Sequence, residues 1–187
     1  MMAIDHDRCQ RSISGYRSKQ TINTMVAIGY HIDTFKKKAK AERCYDVTRI
    51  QYELVVMSSK LIKKQTDRFK VIKGEREEAL GDPLLSAGYI TPWVIGYCTG
   101  LLDAVTQTEA NRMAFTSEML GLLFAVVFGD DKFRETMGTY IACNESSSPD
   151  HGFHVMYELY MSGLAKAFNE VCEDKPVIGL LNYLMQD

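Results

Sequence analysis

The stretch Met113–Phe128 reads Met-Ala-Phe-Thr-Ser-Glu-Met-Leu-Gly-Leu-Leu-Phe-Ala-Val-Val-Phe, and from Met119 onward it carries neither a charge nor a hydroxyl. A helix that is apolar on every side belongs in the middle of a bundle or in a membrane. A membrane span needs about 20 apolar residues. Here the unbroken run ends at Phe128, with Glu118 just before it and Gly129-Asp130-Asp131 just after it. The run is too short to span, so it predicts the central buried helix of an all-α, single-domain bundle of about six or seven helices.

Working outward, the next C-terminal helix opens at Asp130 or Asp131 and carries Phe133, Met137, Tyr140 and Ile141. Ser148-Pro149-Asp150 is a cap followed by proline, a helix-start pattern. The helix beyond it runs to about Glu173, with Phe153, Met156, Tyr157, Tyr160, Leu164, Ala167, Phe168 and Val171 on one broad face. Pro176 starts a last short helix, Val177 to Met185. On the N-terminal side, Thr91-Pro92 predicts a cap and N1 proline for a helix with Trp93, Val94, Tyr97, Leu101, Leu102 and Val105 inward. Its other face, Gly96, Thr99, Gly100, Asp103 and Gln107, reads as outward, although Gly96-x-x-x-Gly100 is also a spacing that allows close helix packing, a weak pattern outside a membrane. Leu84 to Ile90 reads as a short helix or turn.

The first 73 residues have a different character. A tail of residues 1–18 lacks any period. A helix from about Lys19 carries Ile22, Met25, Val26, Gly29, Ile32 and Phe35 and ends in Lys36-Lys37-Lys38-Ala39-Lys40, where cations suit the dipole. A longer helix from about Ala41 to Lys73 carries the line Val47, Ile50, Leu54, Met57, Leu61, whose alternating steps of three and four suggest a seam. Val55, Ile62, Phe69 and Ile72 form a second line beside it. The helix is long enough either to protrude or to break at Ser58-Ser59, and Gly74 suits its C-terminal end. Glu75 to Pro83 reads as the main connector. The domain expected over 19–187 is thus a basic helical hairpin, 19–73, packed on an acidic bundle, 83–187.

Charge divides the chain at that connector. Residues up to Lys73 hold 16 Lys+Arg and 7 Asp+Glu, a balance of +9, and the rest hold 6 and 17, a balance of −11. Such asymmetry hints at interaction surfaces. Lys60, Lys63 and Lys64 on one side, and Asp130, Asp131 and Glu135 on the other, are the candidate partner-binding residues. An acidic surface can dock a basic protein with salt-sensitive steering, the charge logic of nuclease inhibitors and immunity proteins. The leading expectation is therefore a non-enzymatic interaction protein that binds, and inhibits or escorts, a protein partner. The alternative is a nucleic-acid-binding regulator using the basic N-terminal helices, although no aromatics interleave with the lysines as base stacking would require. A homo-oligomer fits the same pattern.

Chemistry-bearing motifs are sparse. His151, His154 and Glu158 share one helix face and suit zinc or iron, but three ligands from one helix cannot close round an ion and no Glu-x-x-His pair faces them. They read as surface residues. Asp103 reads as outward rather than as a buried acid. The five cysteines, Cys9, Cys44, Cys98, Cys143 and Cys172, lie far apart without a C-x-x-C. That argues against a disulfide framework and against a zinc knuckle, and no histidine is placed to activate Cys44. Phosphate-binding glycine loops, the G-x-S-x-G elbow and His-Glu-x-x-His are missing. No catalytic residue, metal or cofactor is expected. The 10 tyrosines and 10 methionines suit a core or a small-molecule pocket equally. The N-terminus, Met-Met-Ala-Ile-Asp-His-Asp-Arg, has no apolar run or cleavage pattern, so a cytoplasmic location is expected.

Overall fold

A computed structural model describes residues 47–74, 82–108, 116–144, 151–173 and 175–186, excluding the side chains of residues 151 and 153. The N-terminal tail, the expected helix from Lys19, the body of the connector and Ser148-Pro149-Asp150 lie outside these residues. Within them the protein is all-α: α1 (Arg49–Lys73), α2 (Pro92–Thr108), α3 (Ser117–Phe128), α4 (Phe133–Asn144), α5 (His151–Cys172) and α6 (Gly179–Leu184). Two 3₁₀ turns, Ala87–Tyr89 and Asp130–Lys132, precede α2 and α4.

Helix α3 is buried as its composition demands: every residue from Met119 to Phe128 is inside. Thr116 caps it, its hydroxyl accepting from the Met119 N–H. Gly129 ends it at φ 96°, a conformation that side chains rarely adopt. The interior has a second axis, however. Helix α2 is buried over Val94–Leu102 and again at Ala104, Val105 and Thr106, and it packs against α1, α3, α4 and α5. The centre of the bundle is shared between α2 and α3.

The face of α2 expected to point outward is in fact its main contact. Gly96, Thr99 and Gly100 are buried against α5, along the most extensive helix pairing among the described residues. A Cβ on Gly96 would collide with the Tyr160 carbonyl, one on Gly100 with the Leu164 backbone, and one on Gly163 with the Trp93 carbonyl. The i, i+4 row Gly96–Gly100 thus lies beside the row Tyr160–Leu164, with both helices advancing in the same direction. Rows four residues apart are the natural ridges of a helix surface, and without side chains between them the backbones meet directly. Asp103 and Gln107 do stay partly exposed, and Gln107 Nε2 donates to Asp103 Oδ1 at 2.9 Å.

Helix α1 starts at Arg49, not near Ala41. Thr48 forms a capping box: it accepts from the Gln51 N–H while Gln51 Oε1 accepts from the Thr48 N–H. The helix is unbroken for 25 residues, about 37 Å. Ser58 and Ser59 do not interrupt it, because their hydroxyls donate back to the Leu54 and Val55 carbonyls. That self-satisfaction moves the seam. The buried line is Val55, Ile62 and Phe69, flanked by Leu54, Ser58, Ser59, Gln65 and Thr66. Met57 and Leu61 sit at its margin, while Ile50 and Ile72 are exposed. Gly74 ends the helix at φ 70°.

Thr91-Pro92 opens α2 as expected, Thr91 Oγ1 accepting from the Val94 N–H. Asp130 and Asp131 do not directly cap α4. They form the 3₁₀ turn, and the helix begins at Phe133. Pro176 precedes the last helix by three residues, which runs only from Gly179 to Leu184. No described helix is long and apolar enough to cross a membrane.

Candidate functional site

Among the described residues, a group of hydrogen-bonded polar side chains lies inside the bundle, where α1, α2, α5 and the start of α6 meet. Gln65, Tyr97 and Glu170 are all at least 95% buried. The Tyr97 hydroxyl donates to Glu170 Oε2 at 2.9 Å and accepts from Gln65 Nε2 at 3.2 Å. Glu170 Oε2 also accepts from the Gly179 N–H at 3.0 Å, and its Oε1 lies 3.4 Å from Lys166 Nζ. Gln65 Oε1 accepts from the Leu181 N–H at 3.2 Å.

Each position follows from its element. Gln65 faces inward from the α1 seam, and Tyr97 lies one residue beyond Gly96, where α2 touches α5. Glu170 lies on α5 one turn after Lys166, whose aliphatic stem lets an ammonium reach the edge of a buried carboxylate. A buried carboxylate needs partners, and here both oxygens are engaged within the chain. Burial, and next to it the charge of Glu170, pushes the Tyr97 hydroxyl far above its ordinary pKa of 10.0. Tyr97 is therefore a proton-bearing donor at any physiological pH. The cluster holds the first turn of α6 by its free backbone N–H groups, which a helix start must satisfy externally.

An aromatic stack continues the site. The Trp93 indole lies between Tyr183 of α6, at 4.2 Å and 2° from parallel, and Tyr97, at 5.3 Å and 14°. Thr91 Oγ1 lies 3.3 Å from the Tyr183 hydroxyl. Gly179 is obligatory in this setting: a Cβ there would come within 2.8 Å of the Tyr97 ring and 3.0 Å of both Glu170 oxygens.

The candidates taken from sequence lie elsewhere. Lys60, Lys63 and Lys64 share one face of α1, with Lys60 and Lys63 half-buried and Lys64 exposed. Lys63 pairs with Asp67 at 2.6 Å, and partial burial lowers Lys60 below the usual lysine value. Asp130, Asp131 and Glu135 cluster at the α3–α4 corner, where Glu135 lies 3.9 Å from Lys132. The structure places the first set on α1 and the second at the α3–α4 corner. His154 Nε2 faces Glu158 Oε1 at 3.2 Å with both side chains mostly exposed, and no three His, Cys, Asp or Glu side chains converge among the described residues. Cys98, Cys143 and Cys172 are buried and form no disulfide, and burial pushes the Cys98 thiol up to about 12. Cys9 and Cys44 lie outside the described residues.

The chain matches no protein-family model, no curated protein and no solved structure. The buried cluster escaped the sequence reading because its members are 32 and 73 residues apart in pairing. One signal was available: Glu170 falls on the same broad apolar face of α5 as Ala167 and Val171.

Proposed function

We propose that this protein is a helical interaction module that binds a protein partner, with its interior polar groups committed to holding the bundle together. The observation that carries the reading is on α5. Val155 and Leu159, one turn apart and each 44% exposed, form one exposed apolar pair, and Tyr157 and Met161, 40% and 37% exposed, form a second on another side of the helix. Grouped exposed apolar side chains mark interaction surfaces more often than isolated ones do. Apolar area suits a protein surface; a phosphate backbone asks mainly for cations. The lysine face of α1 and the acidic α3–α4 corner then steer the encounter. Inhibition or escort of the bound protein is the role such a module would serve.

The test is affinity capture at low salt with the wild-type chain and with Val155→Asp plus Leu159→Asp. The reading expects a discrete partner whose recovery falls at least about ten-fold with the α5 variant, a loss of about 1.4 kcal/mol. Equal recovery by both proteins would remove the α5 surface from the account.

The second reading is nucleic-acid binding by α1, favoured by the row Lys60, Lys63, Lys64 on an unbroken 25-residue helix. A gel shift with mixed DNA and RNA separates the two. Retardation abolished by Lys63→Glu plus Lys64→Glu, and unaffected by the α5 variant, would favour it.

A further inference from the structure

Helix α6 is held in the way a bound peptide is held. It has six residues, too few to be helical in water without external support. Beyond its own short ladder, its support comes from α1, α2 and α5. Glu170 accepts the Gly179 N–H and Gln65 accepts the Leu181 N–H. Leu180, Leu181 and Leu184 are buried, and Tyr183 lies flat on Trp93. Amphipathic helices bound in grooves are anchored by the same combination of apolar side chains at helical spacing. The groove also selects sequence. Gly179 is the residue its first position accepts, since any Cβ would meet Tyr97 and Glu170. The fifth position takes a ring that can stack on Trp93 and bring a hydroxyl to Thr91.

The tether is short and largely exposed. Glu173, Lys175, Pro176 and Ile178 are on the surface between Cys172, the end of α5, and Gly179. Once its contacts with Gln65, Trp93 and Glu170 are broken, α6 moves by a backbone change in this hinge alone. Short hinges joining a small element to its domain are where identical elements exchange between copies.

We propose that the groove floored by Gln65, Trp93, Tyr97 and Glu170 is a peptide-recognition site, filled in cis by α6, that accepts the same Gly-Leu-Leu-x-Tyr-Leu segment in trans from a second copy of this chain. It is separate from the outward surface of α5 and stands or falls independently of the partner proposed for that surface. The tethered segment competes at an effective concentration in the millimolar range, so trans binding is suppressed until α6 leaves.

The probe is a fluorescein-labelled synthetic peptide, Lys175–Gln186, titrated with the full-length chain. In the Gly179→Val full-length variant the added methyl groups expel α6 and open the groove. Fluorescence anisotropy should show saturable binding of the wild-type peptide to this variant, at least about ten-fold tighter than to the wild-type chain. Emission of Trp93, the protein's single tryptophan, should shift red in the variant and return when peptide is added. A peptide carrying Tyr183→Ala should bind at least ten-fold more weakly (about 1.4 kcal/mol) than the wild-type peptide. If Gly179→Val loses its helical circular-dichroism spectrum, the same titration is made on full-length Tyr183→Ala. No saturable binding to a folded variant overturns the proposal, and so does equal binding of a scrambled peptide.

Discussion

Gly96 of α2 lies directly against the backbone carbonyl of Tyr160 on α5, with no room for a side chain between them. Gly100 repeats the contact one turn later at Leu164, and Gly163 returns it from α5 to Trp93. Two helices so joined cannot slide or separate slightly to admit a methyl group, because the atoms in the way are backbone. Gly96→Ala should therefore destabilise the protein by about 1–3 kcal/mol or more, the range for overpacking a tight interior. Gly138 on α4 is the control: nothing lies within 4 Å of its missing Cβ. Gly138→Ala should stabilise by about 0.5–1 kcal/mol through helix propensity alone. Urea midpoints at constant m-value distinguish the two.

Tyr97 and Glu170 should prove strongly coupled. Tyr97→Phe removes one donor to the carboxylate and one acceptor for Gln65, and should cost about 1–3 kcal/mol because buried partners are left unsatisfied. Glu170→Gln keeps the shape but changes what the Gly179 and Tyr97 donors meet. A double-mutant cycle on the two positions should return a coupling of about 0.5–3 kcal/mol. Additive single effects would mean that the hydroxyl and the carboxylate do not depend on each other.

Alkaline pH should weaken the fold through α2. Burial raises the Cys98 thiol from 9.0 to about 12, so the native state keeps a proton that the unfolded chain gives up. The corresponding stability is complete below pH 9 and is lost as pH rises toward 12, at up to about 1.4 kcal/mol per pH unit. Tyr97, also raised, adds a loss of the same sign above pH 10.0. Urea unfolding of wild type and Cys98→Ala over this range provides the check. The wild-type advantage over the variant should shrink as pH increases, and a constant difference would count against a buried neutral thiol.

Thiol access gives an independent reading of the interior. Cys98, Cys143 and Cys172 are buried in the native protein. Peptide mapping after brief iodoacetamide treatment should find all three unmodified in buffer and modified in urea. Labelling of Cys98 before unfolding would place α2 nearer the surface than described.

Much of the architecture could be read from local chemistry. Thr91-Pro92 opens a helix and Gly74 closes one, as their backbone preferences require. The run from Met119 to Phe128 had no polar atom to present to water, so its burial followed. The harder cases were those in which a residue's neighbour lay far along the chain. Gly96 and Gly100 looked like a solvent face because glycine adds nothing to an apolar stripe. Their burial depends on Gly163, more than sixty residues away. Ser58 and Ser59 looked like a weak point because hydroxyls are usually read as exposed, whereas here they return their protons to the helix's own carbonyls. The i, i+3, i+4 pattern thus misplaced the α1 seam by roughly one residue's rotation, from Leu61 toward Ile62. Lys60, Lys63 and Lys64 were legible as a group, since one helix face sets their proximity.

Helices α2 and α3 together form the interior, and the Gln65, Tyr97 and Glu170 cluster fastens α6 onto it. Native-state hydrogen exchange read by mass spectrometry tests this most directly. Amides of Val94–Val105 and Met119–Phe128 should exchange slowest and at matching rates, through global unfolding, while those of Leu180–Leu184 open earlier as a separate unit. Rapid exchange across α2 while α3 remains protected would contradict the account.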